Sequence, residues 1–98
     1  MTIISFNPLA EQELTEAASR YEEQKPGLGL EFLETVENSV SLLKQYPAAG
    51  PRAQGSIRHL ILPRFPYHLL YRIVEEGQIR ILAVAHHERR PKYWVRRK

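Results

Sequence analysis

The spacing of the apolar residues changes halfway along this chain of 98 residues. In the first half they recur at every third or fourth position, which is typical of amphipathic helices, whereas in the second half they alternate with polar residues, as in half-buried strands. The segment "YPAAGPRAQG" between the halves is rich in Pro and Gly and predicts a loop. Helices followed by strands indicate an α+β fold, in which the helices cover one face of a sheet.

A short strand and two helices are predicted before the loop. The β-branched run "TIISF" indicates the strand. Asn7 can cap the first helix, and Pro8 suits its first position, where the missing N–H needs no partner. The apolar stripe of this helix consists of Ala10, Leu14, Ala17, Ala18 and Tyr21. The segment "KPGLGLEF" ends the helix, and a second stripe follows at Phe32, Val36, Val40 and Leu43. So short a connection predicts an antiparallel helical hairpin.

Three strands are predicted after the loop, in "SIRHLILP", "RFPYHLLYRIVE" and "QIRILAVAH". The sequence "EEG" between the last two indicates a tight hairpin, because Gly77 can adopt a positive φ. One face of the middle strand is apolar and the other carries His68 and Arg72, and we expect the last strand to place His86 beside them. For residues 1–98 we therefore predict a single domain, with a helical hairpin packed on the apolar face of a three- to four-stranded antiparallel sheet.

The charge of the chain is distributed unevenly. The net charge is only +3, but residues 1–50 contain three basic and eight acidic residues, whereas residues 51–98 contain eleven basic and three acidic ones. All four histidines also lie in the second half. Two interpretations remain open. Either a basic face binds a polyanion or an acidic protein, or the two halves neutralise each other when they fold together.

Several classes of function are disfavoured by what the sequence lacks. Without cysteine there is no thiolate chemistry, and the motifs of P-loop, dinucleotide-binding and Ser-hydrolase proteins are missing. His86 and His87 are adjacent on a strand and should point to opposite faces, so we predict no metal and no other cofactor. The first residues do not resemble a signal peptide, and no apolar run reaches the roughly 18 residues of a membrane helix. We expect a cytoplasmic protein without a membrane partner.

The best candidate for a contact surface is the outward face of the sheet together with the closing stretch "AVAHHERRPKYWVRRK". Arginines can bind phosphates or carboxylates, and aromatic side chains can stack on bases. An ordinary solvated surface is the alternative. The only reaction that such a basic face suggests is metal-free RNA cleavage. The predicted target-binding residues are Arg58, His68, Arg72, His86, Arg89, Arg90, Tyr93, Trp94, Arg96 and Arg97.

Four segments together resemble one known family: "FNPLAEQELTEAASRYEEQKPGLGLEFL", "YPAAGPR", "FPYHLLYRI" and "ILAVAHHERRPKYWVRR". They are similar to the RelE/ParE superfamily of toxins from bacterial type II toxin–antitoxin systems, and closer to ParE. The resemblance implies an initial strand, a helical hairpin and an antiparallel sheet. It also implies a growth-inhibiting toxin that a cognate antitoxin neutralises within a hetero-oligomer.

The resemblance implies one of two activities. ParE-like members inhibit DNA gyrase without being enzymes, whereas RelE-like members cut messenger RNA on the ribosome without metal. The catalytic positions of the nucleases fall on His68 and His87, where those enzymes usually have arginine, and on Tyr93, which matches their terminal tyrosine. We expect a gyrase inhibitor, with no catalytic residues, and keep the endoribonuclease as the alternative. A third hypothesis is an inactive relative of these toxins.

Overall fold

Five strands form one mixed sheet that carries both helices on the same face. The computed structural model describes residues 2–75 and 77–98. The elements in chain order are β1 (Ile3–Phe6), α1 (Pro8–Gln24), α2 (Leu28–Gln45), β2 (Arg52–Gln54), β3 (Ile57–Ile61), β4 (Tyr67–Glu75) and β5 (Gln78–His86). The strand order is β1-β5-β4-β3-β2, and all neighbouring strands are antiparallel except β1, which runs parallel to β5. The predicted α+β fold is confirmed.

The sheet has two short strands at its edges in addition to the three predicted after the loop. β1 pairs with the first half of β5, and its ends are fixed by the hydrogen bonds from Ile3 N to Gly77 O (2.7 Å) and from Asn7 N to Ile81 O (2.8 Å). β2 has only three residues at the other edge. Gly77 has a φ of +77°, as the predicted hairpin requires, while Glu76 of the same turn lies outside the described residues.

The helical hairpin forms as the sequence predicts, and a glutamate completes its turn. The side chain of Asn7 accepts a hydrogen bond from the backbone N–H of Leu9 (2.7 Å) and so caps α1. In the turn, the carboxylate of Glu22 accepts hydrogen bonds from the N–H groups of Gly27 and Gly29, which would otherwise lack a partner at the start of α2. A Cβ atom at Gly29 would lie 2.5 Å from the carbonyl oxygen of Ala18, so only glycine lets the two helices approach this closely.

The main core lies between the helices and the sheet. An aromatic cluster of Tyr21, Phe32, Phe65 and Tyr67 forms one end, with ring centroids 5.0–6.1 Å apart. The other end contains Tyr71, which is fully buried and whose hydroxyl donates to Pro47 O (2.7 Å) and accepts from Gly50 N (3.0 Å). A buried tyrosine needs such partners for its hydroxyl, and here they fix the loop between α2 and β2.

A second apolar cluster lies on the outward face of the sheet, the face that points away from the helices. It consists of Ile57, Leu70, Leu82, Ala83, Ala85 and Trp94. The sheet is therefore covered on both faces along part of its length. Within the described part of the chain, neither helix is long and apolar enough to cross a membrane.

Candidate functional site

A β-bulge in β5 decides which histidine reaches the outward face. Leu70 of β4 pairs with Ala83, but the next residue, Tyr71, pairs with Ile81, so Leu82 has no partner in the ladder. One extra residue reverses the alternation of faces from that point onwards. Val84 consequently packs in the main core instead of pointing outward.

The prediction that His86 lies beside His68 on the outward face is therefore wrong. His86 pairs with Tyr67, and their rings lie 5.0 Å apart on the helical side of the sheet. His87 takes the expected place instead, because its ring centroid is 5.2 Å from that of His68, and His59 of β3 lies 6.3 Å from His68 on the other side. Three imidazoles thus form a row on the outward face.

Arg58 is also not on the outward face, contrary to the prediction. It pairs with Tyr71, so its side chain lies on the helical side, where Nη1 donates to Gly50 O (2.8 Å) and lies 3.5 Å from Ala48 O. The reason is that successive side chains of β3 point to opposite faces of the sheet. Ile57 must point outward to be buried under Trp94, so the next residue must point the other way.

Trp94 was predicted to contact a target, but it is a core residue. Its side chain is only 6% exposed and covers the apolar part of the outward face. Tyr93 and Val95 pack beside it. Residues 88–98, which we call the C-terminal segment, therefore lie across the sheet as a cover. A buried indole removes a large apolar area from water, so this contact holds the segment in place.

Glu13 of α1 anchors the other side of the C-terminal segment. Its carboxylate accepts hydrogen bonds from the Tyr93 hydroxyl (2.8 Å) and from Nη1 of Arg97 (2.8 Å), and Nη1 of Arg89 lies 3.5 Å away. It also accepts from the backbone N–H of Val84 (3.0 Å), in the half of β5 that β1 does not cover. One acidic side chain thus engages three of the residues predicted to bind a target.

These contacts change the acid–base properties of Tyr93. Burial raises the pKa of its phenol well above the usual value of 10.0, and the hydrogen bond to the negatively charged Glu13 raises it further. Arg89 and Arg97 act in the opposite direction but do not cancel these effects. The phenol therefore keeps its proton near neutral pH.

His68 has the opposite tendency. Its partial burial lowers the pKa below the usual 6.5, and His87 and His59 lower it further because a protonated neighbour repels a second positive charge. The imidazole of His68 is therefore neutral at physiological pH and can accept a proton or a hydrogen bond.

Two histidines of this row, His68 and His87, border a cleft at one end of the outward face. It has a volume of about 240 Å³ and is lined on one side by the sheet, with His68 and His87, and on the other by the C-terminal segment, with Arg89, Arg90 and Lys92. We call it the histidine cleft. Six of the ten predicted target-binding residues line it: His68, His86, Arg89, Arg90, Tyr93 and Trp94. Arg58, Arg72, Arg96 and Arg97 do not.

The interpretation of the sequence missed three participants. Glu13 is not among the predicted site residues, although its side chain is only 10% exposed and binds the C-terminal segment. His59 and Lys92 are not among the predicted target-binding residues. For His59 a signal existed, because it is two residues after Ile57 and so shares its face. Among residues 2–75 and 77–98, no group of three His or Glu side chains is placed to hold a metal ion.

Comparison with known proteins agrees with this architecture. Residues 4–91 match the family model described as the ParE toxin of the type II toxin–antitoxin system parDE. No curated protein sequence matches the chain significantly. A solved structure, the chromosomal ParDE toxin–antitoxin system from P. aeruginosa, superposes with a TM-score of 0.78 at 23% identity, covering 90% of this chain and 98% of that one. Since the family model spans nearly the whole fold, including the bulged strand and the start of the C-terminal segment, this chain belongs to the ParE toxin family of type II toxin–antitoxin systems.

Proposed function

We propose that this protein arrests growth by binding DNA gyrase, and that it does so without any chemistry of its own. One observation carries the choice between the two activities of the superfamily. Tyr93, which the nuclease hypothesis requires, donates a hydrogen bond to the carboxylate of Glu13 (2.8 Å), and its pKa is raised. A phenol held in this way is a poor base at neutral pH, and its hydroxyl is turned towards α1.

The histidine cleft is suited to binding an acidic surface or a nucleic-acid backbone. Arg90 and Lys92 are exposed beside it, and neither forms an ion pair with another described residue. Both belong to a segment that Trp94 and Glu13 hold in place, so the backbone that carries them is positioned before binding. Charges presented on a rigid support increase association rates and give specificity at little entropic cost.

The test is DNA supercoiling by purified gyrase in vitro, in a buffer that matches the cytoplasm, where gyrase works and where we expect this protein. We expect the toxin to reduce supercoiling and to increase the fraction of cleaved DNA. The Arg90→Gln/Lys92→Gln variant should inhibit more weakly, whereas Lys25→Gln/Lys44→Gln, which removes the same charge from the helical hairpin, should act like the wild type. Unchanged supercoiling at a large excess of folded toxin would reject the proposal.

The endoribonuclease remains a second candidate because His68 and His87 face each other at 5.2 Å in one cleft. A neutral imidazole can act as a base, and Arg89 and Arg90 could stabilise a charged phosphorane. This hypothesis predicts breaks at defined codon positions after induction, with ribosome and mRNA as partners. It also predicts that His68→Ala or His87→Ala abolishes them while the protein stays folded. If growth stops without new 5′ ends in mRNA, the nuclease is excluded.

We further propose that a cognate antitoxin covers the groove between α1 and α2. This groove is lined by Ala18, Gly29, Leu30 and Leu33, and the two leucines are 59% and 38% exposed. An apolar groove of this kind suits an amphipathic arm that folds on binding, and acidic residues of the same arm could reach the basic half of the toxin. Toxin and antitoxin would then form a hetero-oligomer.

The neighbouring open reading frame is the first place to look for this antitoxin. We expect Leu30→Glu/Leu33→Glu to prevent neutralisation when both proteins are expressed together. Leu42→Glu, at another exposed position of α2, is the matched control. Full neutralisation of the double variant would place the antitoxin on a different surface.

A further inference from the structure

We propose that the outward face carries a second anion site, separate from the histidine cleft, in which Arg72 and Arg80 bind a phosphate of a nucleic-acid backbone. The two arginines are directly opposite each other on β4 and β5. Like charges at opposed positions destabilise an antiparallel pair, because their Cβ atoms are only about 5 Å apart. Repulsion between the two guanidinium groups therefore destabilises the unbound protein, and an anion bound between them would remove this repulsion.

The surroundings of the two arginines form an open cleft rather than a flat surface. This arginine cleft has a volume of about 500 Å³, and its lining consists of Ser5, Arg72, Val74, Gln78, Arg80 and Lys98. Three cationic side chains thus face one space together with a hydroxyl and an amide, both of which can donate hydrogen bonds to phosphate oxygens.

The guanidinium groups are oriented but not neutralised by side chains. Nε of Arg72 donates to Ser56 Oγ (3.0 Å), and Nε of Arg80 lies 3.5 Å from the backbone oxygen of Lys98. Within residues 2–75 and 77–98, the terminal nitrogens of both guanidinium groups have no hydrogen-bond partner and can therefore bind a ligand. Neither arginine forms an ion pair with a carboxylate side chain of residues 2–75 and 77–98. Glu75, which pairs with Gln78 beyond the intervening pair of Ile73 and Ile79, is exposed and forms an ion pair with neither of the two arginines.

The composition of the arginine cleft favours a nucleic acid over an acidic peptide. Among the six described residues that line it, only Val74 has an apolar side chain, whereas a peptide arm that folds on binding needs apolar side chains to offset the entropy lost on ordering. A phosphate backbone needs only cations and neutral donors. The cleft also lies on the same face as the histidine cleft. His68 and Arg72 are four residues apart on β4, about 13 Å, so both clefts could contact one strand.

This inference goes beyond the proposed function, because it concerns the toxin and nucleic acid in the absence of gyrase. The test is the fluorescence anisotropy of a labelled 20-base-pair DNA duplex and of the corresponding single strand, titrated with toxin between 50 and 300 mM salt. The central variant is Arg72→Gln/Arg80→Gln. Its matched control is Lys25→Gln/Lys44→Gln, which has the same net charge.

We expect the central variant to bind roughly tenfold more weakly than the wild type, because it can no longer form charge-assisted hydrogen bonds to phosphate. The slope of log K against log salt should become shallower by about one for each phosphate that the variant no longer neutralises. The control should bind like the wild type. Arg72→Lys/Arg80→Lys, which keeps the charge but not the planar forks, should preserve the slope and lose part of the affinity.

Three results would overturn the proposal. The first is a wild type that does not bind either nucleic acid at 50 mM salt. The second is an equal loss of nucleic-acid affinity in Arg72→Gln/Arg80→Gln and in Lys25→Gln/Lys44→Gln, which would mean that only net charge matters. The third is a labelled glutamate-rich peptide that binds more tightly than the oligonucleotides and is released selectively in the central variant. Thermal unfolding of each variant verifies that it is folded, and gyrase inhibition is measured separately, so the two proposals can fail independently.

Discussion

Glu13 and Arg97 form a two-contact ion pair that joins the first helix to the C-terminal segment. Nη1 of Arg97 lies 2.8 Å from one carboxylate oxygen of Glu13, and Nη2 lies 3.2 Å from the other. The side chains are only 10% and 13% exposed, and Nη1 also donates to Leu82 O (3.2 Å). Paired forks of this geometry are strong, and solvent does not screen them as it screens surface pairs.

Glu13→Gln should lower the free energy of unfolding by about 3 kcal/mol, because it leaves the largely buried Arg97 without its counter-charge. Urea unfolding at neutral pH measures this. Glu16→Gln, an exposed carboxylate one turn further along α1, is the control and should change stability by less than about 0.5 kcal/mol. Equal effects of the two substitutions would show that the ion pair does not hold the C-terminal segment.

Tyr93→Phe should cost about 2 kcal/mol at pH 7, since it removes a hydrogen bond to a charged group. The proposed gyrase inhibitor should nevertheless keep its activity, because Trp94 and the ion pair of Arg97 with Glu13 still hold the C-terminal segment in place. Growth arrest at matched levels of folded protein is the measurement. Complete loss of toxicity in a folded Tyr93→Phe protein would instead favour the nuclease.

The same substitution should reveal a pH dependence. The pKa of Tyr93 is raised in the folded protein, so the folded state holds this proton more firmly than the unfolded state does. The stabilisation is fully present below the unfolded pKa of about 10 and is lost as pH rises above it. The difference in unfolding free energy between wild type and Tyr93→Phe should therefore be constant up to about pH 10 and shrink as the pH rises further. A difference that stays constant at higher pH as well would contradict the raised pKa.

His68 should make the protein sensitive to mild acid. Its folded pKa is lowered by burial, His87 and His59, so the unfolded state binds the proton more readily. Its contribution to stability is complete above the unfolded pKa of about 6.5 and falls as pH drops towards the folded value. Urea unfolding at pH 7.5 and 5.5 should show a smaller loss in His68→Gln than in the wild type, and NMR titration of the ring should give the lowered pKa directly.

Trp94→Ala should destabilise the protein by about 3–5 kcal/mol, as expected for a large buried aromatic side chain. Arg96→Gln, two residues later and exposed, should change stability by less than about 0.5 kcal/mol. Thermal or urea unfolding distinguishes the two. If the Trp94→Ala protein unfolds like the wild type but no longer inhibits its target, Trp94 contacts the target. In that case the packing of the C-terminal segment on the outward face is not required for folding.

Features that depend on neighbours along the chain can be predicted from the amino-acid sequence alone. Asn7 and Pro8 begin α1, the glycines between residues 25 and 30 turn it back, and alternation marks β4 and β5. These signals act over a few residues, so they are visible without a structure. The same local segments also carried the resemblance to the ParE toxins, which the family model confirms.

The residues that make up the site, in contrast, depend on strand pairing and packing across the whole fold. Because of the bulge at Leu82, His87 and not His86 lies beside His68 on the outward face. A bulge is a property of the pairing between two strands, so the sequence of β5 alone does not reveal it. Trp94 is buried because it packs on apolar side chains of β3, β4 and β5 on the outward face. Glu13 is buried because its partners Tyr93 and Arg97 follow 80 and 84 residues later. Burial and charge pairing between such distant residues arise from packing, and packing is set by the whole chain at once.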